Sequence, residues 1–355
     1  MRKPLLTNKT LEYWIRGPPK NFFFYILGIF LVIQIFYYSI DAHNFSKYYE
    51  LRGDFIGDDD FITFLYRPKP RAQTENVVVT IGGDLRYGTH VMRSIGSSNN
   101  ITKPLAGLVP VFENSDINFL NLDGPITNSE NARGCTRTEA ELSRCCADHC
   151  FWKNDASILP ALKEIGVNGI GVENDHIFDY GREGLEDTLY HLRKEVFPYS
   201  GLGYRILYRV KECNLMILSY NWAYQGEGFY NRVKEMMKYD LTNLKADSFI
   251  VLMHGGNQNG GAKTEFQEDF AKVAIDNGAG IVIGTHSRAR QESQTYKEKK
   301  IYYGIGSVLD ENFMGKDHKD FSLLQFEVEK CRSIINVHEI KAKRDTDNME
   351  VFLVK

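Results

Sequence analysis

Residues 76–84 read Asn-Val-Val-Val-Thr-Ile-Gly-Gly-Asp, a β-branched run that stops at two glycines and ends on a carboxylate. β-branched side chains favour strands, and a strand without polar alternation is typical of a sheet that is covered on both faces. The chain repeats this design with further short apolar runs that end in polar residues. They are INFLNL (117–122), VNGIGV (167–172), SFIVLM (248–253) and IVIGT (281–285).

Helical patterns separate these predicted strands. Residues 182–195 (REGLEDTLYHLRKE) carry leucines at helical spacing, with acidic residues early and basic residues late, as the helix dipole favours. Residues 156–166 and 264–278 are also predicted to be helices. Apolar strands that alternate with helices predict an α/β domain with a largely parallel, buried sheet. At the C-terminal end, antiparallel strands are predicted in residues 299–309, 322–330 and 333–343.

Upstream of this pattern lies an uncharged apolar segment, residues 21–40 (NFFFYILGIFLVIQIFYYSI). At about 1.5 Å rise per residue, a helix of this length spans roughly 30 Å, the thickness of a bilayer's hydrocarbon core. We therefore predict a transmembrane signal-anchor helix. A cleaved signal peptide is the alternative, but the apolar run is long for one and the following YSIDAHN offers no clear cleavage site of small residues.

The charges that flank this segment predict its orientation. Residues 1–20 hold five basic residues and one acidic residue, whereas residues 41–60 are acidic. The positive-inside rule makes 1–20 a cytoplasmic tail and gives a single-pass type II protein whose domain is extracellular, periplasmic or lumenal. Residues 41–75 are predicted to form a stalk, and residues 76–355 the extracytoplasmic domain. A net charge of −3 lacks the cation excess of a nucleic-acid-binding protein.

Six cysteines suit an oxidising compartment, and four of them lie in a predicted insertion, residues 126–154. Their spacing is not a standard zinc pattern, so two disulfides within the insertion are favoured over a zinc cluster with His149, and their pairing stays open. Asn44 and Asn100 begin sequons, which predicts a glycoprotein if the host glycosylates. The clustered cysteines are Cys135, Cys145, Cys146 and Cys150, and the isolated ones are Cys213 and Cys331.

Polar residues of metal-ligand type follow the predicted strands. In open α/β sheets, binding and catalytic groups gather beyond the carboxyl ends of the strands. Carboxylates and imidazoles at such an edge can hold a divalent cation that activates water or clamps a phosphoryl oxygen. Ordinary polar strand ends are the alternative interpretation of each residue taken alone. The residues are Asp84, Asp123, Asn174, Asp175, His176, His254 and His286.

Six short motifs occur in order along the chain. They are Gly83-Asp84, Asn121-Leu-Asp-Gly-Pro125, NDHIFDYG at 174–181, His254-Gly-Gly-Asn-Gln258, Gly284-Thr-His-Ser-Arg288 and Tyr303-Gly-Ile-Gly-Ser307. In this order they resemble the CapA/PgsA family of capsule and poly-γ-glutamate biosynthesis proteins, itself akin to calcineurin-like metallophosphoesterases. The resemblance covers about residues 76–312. It implies a layered α/β/β/α sandwich of metallophosphoesterase type behind the N-terminal transmembrane helix.

The resemblance also implies roles for individual residues. A divalent metal, Mn, Zn or Fe, would be the cofactor. His176 would act as general acid or stabilise the transition state, and Asp179 would be a further catalytic residue. Arg288 would hold a substrate carboxylate or phosphate. The metal ligands would be Asp84, Asp123, Asp175, His254 and His286.

Five positions depart from the family's pattern. Asp123 stands in place of Glu and Asp175 in place of Asn, and both can still ligate a metal. Gln258 replaces Glu, Arg288 replaces His and Ser307 replaces Asn. Arg288 matters most, because a guanidinium cannot ligate a metal and repels one nearby, although it can hold an anionic group.

For function, the resemblance implies synthesis or anchoring of an extracellular anionic polymer of the poly-γ-glutamate or capsule type. An active cleft would belong to a metal-dependent, phosphoesterase-like hydrolase or transferase that takes an anionic polymer or a small anionic substrate within a membrane synthase complex. The alternative is a non-catalytic scaffold or binding ectodomain that has kept the fold and lost the chemistry. A glycosyltransferase is a third hypothesis, suggested by the acidic run at 58–60 and the type II topology.

Overall fold

The strands form two mixed sheets in the computed structural model, which describes residues 63–95, 100–130, 152–223, 225–310, 319–345 and 350–354. The predicted α/β class is confirmed. The strands are β1 Thr63–Tyr66, β2 Val77–Leu85, β3 Ile117–Leu122, β4 Gly169–Gly171, β5 Tyr199–Ser200, β6 Arg205–Val210, β7 Cys213–Asn221, β8 Ser248–His254, β9 Ala279–Thr285, β10 Ser293–Tyr296, β11 Lys299–Tyr302, β12 Asp320–Glu329, β13 Ser333–Asp345 and β14 Glu350–Leu353.

The first sheet contains β2, whose sequence predicted the fold class, and has the order β14-β13-β12-β2-β3-β4-β5. The strands from β2 to β5 are parallel to one another. β12 joins the other side of β2 in antiparallel fashion, and β13 and β14 continue the meander. The prediction of antiparallel strands at 322–330 and 333–343 is therefore confirmed.

The second sheet has the order β1-β6-β7-β8-β9-β11-β10. Its centre is parallel, from β7 through β8 and β9 to β11. Within the predicted antiparallel segment 299–309, β11 is antiparallel to β10 but parallel to β9, so it lies in the second sheet and not beside β12 and β13. Lys297 and Glu298 both have positive φ and form a tight hairpin turn after β10. The turn brings β11 back beside β9, to which it runs parallel.

Helices pack on the outer faces of both sheets. The predictions at 156–166, 182–195 and 264–278 are confirmed as α3, α4 and α6. α6 begins with a capping box between Thr264 and Gln267, which satisfies donors of its first turn. The helices are α1 Thr89–Ile95, α2 Val109–Glu113, α3 Ile158–Glu164, α4 Gly181–Lys194, α5 Glu227–Asn243 and α6 Glu265–Asp276, with a 3₁₀ helix at Lys103–Leu108.

Three buried apolar clusters define the order of the layers. One fills the space between the sheets, with Val79 and Phe119 from the first sheet and Ile217 and Ile283 from the second. A second cluster joins the first sheet to α1–α4, and a third joins the second sheet to α5 and α6. The layers are therefore helices, sheet, sheet and helices.

Strand alternation decides which residues face the space between the sheets. Ile250 and Leu252 of β8 belong to the cluster between the sheets, whereas Val251 and Met253 belong to the outer cluster. Successive side chains of a strand point to opposite faces. His254, the last residue of β8, therefore continues the inward-facing row.

The folded part begins before Asn76, which corrects the predicted end of the stalk. β1 lies within residues 41–75 and pairs in parallel with β6. Tyr66 of β1 packs edge-on against the buried Tyr208, with 5.8 Å between ring centroids. This aromatic contact, together with the strand pairing, attaches the segment to the second sheet.

Two predicted features lie outside the described residues. The apolar segment 21–40 is one, and the clustered cysteines of the insertion are the other. Within the described ranges, no helix combines the length and the apolar character that crossing a bilayer demands. The clustered cysteines are Cys135, Cys145, Cys146 and Cys150.

A disulfide joins the two cysteines that looked isolated in the sequence. Cys213 begins β7 of the second sheet, and Cys331 lies in the turn between β12 and β13 of the first sheet. Their Cα atoms are 4.9 Å apart across a sequence separation of 118. The bond therefore links the two sheets covalently at the edge where β7 begins.

Candidate metal centre

Polar side chains gather where the central parallel strands end, at one edge of the space between the sheets. Asn221, the last residue of β7, is paired with His254, so this edge lies at the opposite end of β7 from the disulfide. The first sheet supplies carboxylates here and the second supplies imidazoles. Asp84 is the second-last residue of β2, Asp123 follows β3, Asp175 and His176 follow β4, His254 ends β8 and His286 follows β9.

The closest group within this edge is formed by Asp175, His254 and His286. Nε2 of His254 lies 2.7 Å from Oδ1 of Asp175, and Nδ1 of His286 lies 3.3 Å from the same oxygen. The two imidazole nitrogens are 3.2 Å from each other. Both histidine side chains are about 2% exposed. One carboxylate oxygen and two imidazole nitrogens therefore converge in a dry environment.

A second group shares Asp175 with the first and adds Asp123 and His176. Nε2 of His176 lies 3.3 Å from Oδ2 of Asp175. Asp123, however, is not free, because Nη2 of Arg86 lies 2.5 Å from its Oδ2. The structure thus places one of the predicted metal ligands in a buried ion pair.

Asp84 supports the site through hydrogen bonds. Its Oδ1 accepts from Nδ2 of Asn121 at 2.7 Å, and its Oδ2 accepts from the backbone N–H of His286 at 3.0 Å. Oδ1 also lies 3.7 Å from Nδ1 of His254. Burial and the nearby carboxylate of Asp123 raise the pKa of Asp84 to about 6, against the opposing charge of His254. Asp84 therefore connects the two sheets at the site.

The buried charges shift the pKa values of the first group in different directions. Burial alone would lower the pKa of His254, but its hydrogen bond to Asp175 and the charge of Asp84 raise it to about 9. Burial and the neighbouring His254 lower the pKa of His286. Burial would raise the pKa of Asp175, but His176 and the other two histidines hold it well below its ordinary value.

The backbone at His286 adopts an uncommon conformation that helps to aim its ring. Its φ is 75°, in the left-handed region that few non-glycine residues occupy. The N–H of the same residue is held by Asp84. Nδ1 of His254, in turn, lies 2.9 Å from Oγ1 of Thr285. Strained conformations of this kind persist where surrounding contacts fix them, often at functional sites.

A divalent metal fits the group of Asp175, His254 and His286. Its three ligand atoms lie within 4.8 Å of one another. Imidazole and carboxylate are the ligands that zinc and iron accept, and the carboxylate also suits manganese. Within the described part of the chain, the ion-pair partners of Asp175 are histidines, which can give up a proton when a metal binds.

His176 is held by contacts on two sides. Its Nδ1 lies 2.8 Å from Oδ2 of Asp179, the oxygen that also accepts a hydrogen bond from the backbone N–H of Trp152 at 2.7 Å. The Trp152 ring stands edge-on to the imidazole, with 6.2 Å between centroids. Burial alone would lower the pKa of His176, but Asp175 and Asp179 raise it. His176 is therefore oriented and can carry a proton.

Arg288 lies beside the metal group rather than within it. Its Nε is 3.2 Å from Oδ2 of Asp310, whose Oδ1 is 3.1 Å from Nη1 of Arg86. Arg344 lies nearby and donates from Nη1 to the carbonyl oxygen of Ser307 at 2.5 Å. Burial, with the charges of Arg288 and Arg86, lowers the pKa of Arg344. We call Arg86, Arg288 and Arg344 the arginine cluster.

Several of these residues were missed by the sequence analysis. Arg86 follows Asp84 by two residues, so a basic residue at the end of a buried strand was the available signal. Asn121 was quoted within a motif but given no role. Trp152 and Asp310 carried no signal, because only the folded chain brings them to the site.

The two-sheet α/β fold and its strand-end site define a protein with a candidate metal centre between the sheets. The family model described as "Bacterial capsule synthesis protein PGA_cap" matches residues 78–312. The chain belongs to this family. Asp175, His254 and His286 all fall inside the matched region. So do the nearby carboxylates of Asp84, Asp123, Asp179 and Asp310.

Curated relatives extend this finding. The "Capsule biosynthesis protein CapA" of Bacillus anthracis is 24% identical over 281 residues, which are 73% of this chain and 66% of that protein. The "PGA biosynthesis protein CapA" of Bacillus subtilis (strain 168) is 22% identical over 284 residues, 74% of this chain and 71% of that protein. The matched stretch therefore spans just under two thirds of the length of the first relative.

Solved structures with a similar chain course include two bacterial proteins. A hypothetical protein from Thermus thermophilus has a TM-score of 0.46 and 14% identity, covering 75% of this chain and 98% of its own. A protein described as a novel phosphatase from Mycoplasma pneumoniae has a TM-score of 0.47 and 13% identity, covering 77% and 96%.

Proposed function

We propose that this protein works in the synthesis or anchoring of an extracellular anionic polymer of the poly-γ-glutamate or capsule type, on a metallophosphoesterase-type scaffold. Family membership supports the polymer, and the names of the two Bacillus relatives point the same way. The observation that supports an active site is the convergence of Asp175, His254 and His286 beside the arginine cluster. We propose a metal-assisted hydrolytic or transfer reaction there.

The residues of the site divide into three tasks. Asp175, His254 and His286 would hold a divalent ion, which when bound polarises a carbonyl or phosphoryl oxygen and acidifies water. Asp179 fixes the ring of His176 through Nδ1, which leaves Nε2 to deliver a proton to a leaving group. Because the ring is held on both sides, this proton is delivered at a fixed position.

Arg288 would hold an anionic group of the substrate. A guanidinium has five N–H donors, so its contact with Asp310 leaves others for a second carboxylate or a phosphate. The carboxylate of Asp310 lies between Arg86 and Arg288, which supports a carboxylate as the anionic group held here. Polyglutamate presents one such group on every residue.

A scaffold or binding ectodomain without chemistry is the second candidate. The pairing of Asp123 with Arg86 favours it, because this pair removes a carboxylate from the metal ligands. Gln258 and Ser307, which depart from the family's pattern, contribute backbone oxygens to Arg288 and Arg344 rather than ligands. The two candidates differ in whether changes at the site alter polymer production or only polymer binding.

Replacing Arg288 with alanine is expected to weaken binding of a γ-glutamate oligomer to the full-length chain by about 10- to 100-fold, since a hydrogen bond to a charged group is worth about 1.5–3 kcal/mol. Calorimetric titration would measure the change, and polymer production by complemented cells should fall with it. Arg290→Ala is the matched control, because Arg290 pairs with Glu339 at the surface. Equal binding by both variants would remove Arg288 from the proposal. Lost binding with undiminished production would favour the scaffold.

We further propose that residues 21–40 anchor the chain as a single-pass type II membrane protein. The full-length chain should then stay with the membrane after alkaline carbonate washing, because a spanning helix is not released by breaking ionic contacts. Protease added from outside should digest the domain and spare residues 1–20. Soluble protein with a new N-terminus near Asp41 would instead mean a cleaved signal peptide.

A further inference from the structure

The edge of the sheets offers two adjacent places for a cation, and they differ in one respect. Both use Asp175, whose Oδ1 faces His254 and His286 and whose Oδ2 faces His176. The first place is surrounded by groups that can lose a proton. The second place is formed by Asp123, Asp175 and His176. A permanently charged, cationic side chain already contacts Asp123 there.

That cation is the guanidinium of Arg86. Its side chain is 4% exposed and contacts two carboxylates, through Nη2 to Asp123 at 2.5 Å and through Nη1 to Asp310 at 3.1 Å. Its carbon centre lies 4.9 Å from the ring centroid of Trp152, a further contact that favours a cation. A guanidinium is not deprotonated in proteins, so this charge is present at every working pH.

Charge repulsion opposes a second ion at this place. A divalent ion bound between Asp123 and Asp175 would lie beside Arg86 in a buried region, where like charges repel far more strongly than in water. To bind there, the ion would have to break the contact of Arg86 with Asp123 and leave a guanidinium without its partner. Separating a buried ion pair is strongly unfavourable, because it leaves a buried charge without its partner.

We propose that the centre takes a single divalent ion, at Asp175, His254 and His286, and that Arg86 fills the second cation position as a built-in organic cation. This inference rests on the metal ion of the proposed function. In it, Asp123 is the counter-ion of Arg86 rather than a metal ligand, and His176 keeps its imidazole for proton transfer.

The built-in cation has a chemical task. The Nε of Arg86 is buried and has no hydrogen-bond acceptor within the described residues, so one donor stays available beside the metal place. An anionic oxygen of a substrate could accept from it while another oxygen binds the ion. A guanidinium has planar, fixed N–H donors, so it orients such a group by hydrogen-bond direction as well as by charge.

Metal counting on the full-length chain tests this. The purified chain is stripped with chelator, loaded with excess Mn²⁺ or Zn²⁺, desalted and analysed for metal and protein. We expect about one ion per chain for the wild type and about two for Arg86→Met, because that change removes the charge and frees Asp123 for the second ion. Arg205→Met is the matched control, since Arg205 forms a buried pair with Asp240 of α5, and it should stay at the wild-type count.

Asp123→Asn gives a second measurement that does not depend on the folding of Arg86→Met. If Asp123 only balances the charge of Arg86, the variant keeps the single ion with unchanged metal affinity. Loss of an ion from Asp123→Asn, or two ions in the wild type, would overturn the inference and leave the proposed function standing. A wild-type chain that binds no ion would overturn both.

Discussion

Replacing His254 with alanine is expected to lower the metal affinity of the full-length chain by roughly 100-fold or more, because loss of a direct ligand costs at least as much as loss of an outer partner. His254 faces the same oxygen of Asp175 as His286 does, so its removal leaves two of the three converging ligand atoms. The affinity can be measured by competition with a chelator of known strength, with the bound metal counted at each concentration.

His338→Ala is the control for this substitution, because His338 lies on the exposed part of β13 in the first sheet. Polymer production by cells that carry His254→Ala should fall to the level of cells without the protein, whereas His338→Ala should complement fully. A His254→Ala chain that is folded, free of metal and still supports production would exclude the metal-assisted reaction and favour the scaffold.

The second large effect concerns the disulfide between Cys213 and Cys331. Replacing both with serine is expected to lower the free energy of unfolding by about 4–5 kcal/mol, the chain-entropy value for a loop of roughly a hundred residues. The sequence separation is 118, and Cys213 itself is buried at the cluster between the sheets. Urea unfolding of both proteins under non-reducing conditions would give the difference.

Metal affinity provides an internal control in the same variant. β7 runs from Cys213 to Asn221, the residue paired with His254, so the bond and the metal group are separated by about 25 Å along the strand. The double serine variant should therefore bind metal as the wild type does while it unfolds at lower urea. Equal unfolding midpoints for the two proteins would show that the bond adds no stability.

The sequence predicted those parts of the fold that local patterns determine. β2, β3, β8 and β9 were recognisable as apolar runs, α4 from its leucine spacing and charge, and α6 from a helical pattern that stops at a glycine. The convergence of Asp175, His254 and His286 followed from one geometric rule, because parallel strands present their carboxyl ends at one edge. The division into two sheets was accessible through resemblance and not through the strand patterns.

The rest depended on contacts between distant residues. Nothing local to Arg86 indicates that it pairs with Asp123 and Asp310, because those carboxylates are brought to it by different strands. The Cys213–Cys331 bond was hidden for the same reason, since neither cysteine has a close neighbour of its kind in the sequence. β1 was assigned to the stalk because a strand of four residues is too short to show a clear alternation of apolar and polar side chains.

A divalent ion bound by the metal group, between the sheets, would link the supply of metal to the amount of folded protein. Asp175 follows β4 of the first sheet, whereas His254 ends β8 and His286 follows β9 of the second, so an ion would bind there only when both sheets are in place. A ligand that binds only the native state, present at about 100 times its dissociation constant, adds about 2.7 kcal/mol to stability by mass action. When the ion is scarce, the cell would therefore lose folded protein to proteolysis. The amount of this protein in the cell would then fall as the metal becomes scarce, and this fall could be measured without a catalytic assay.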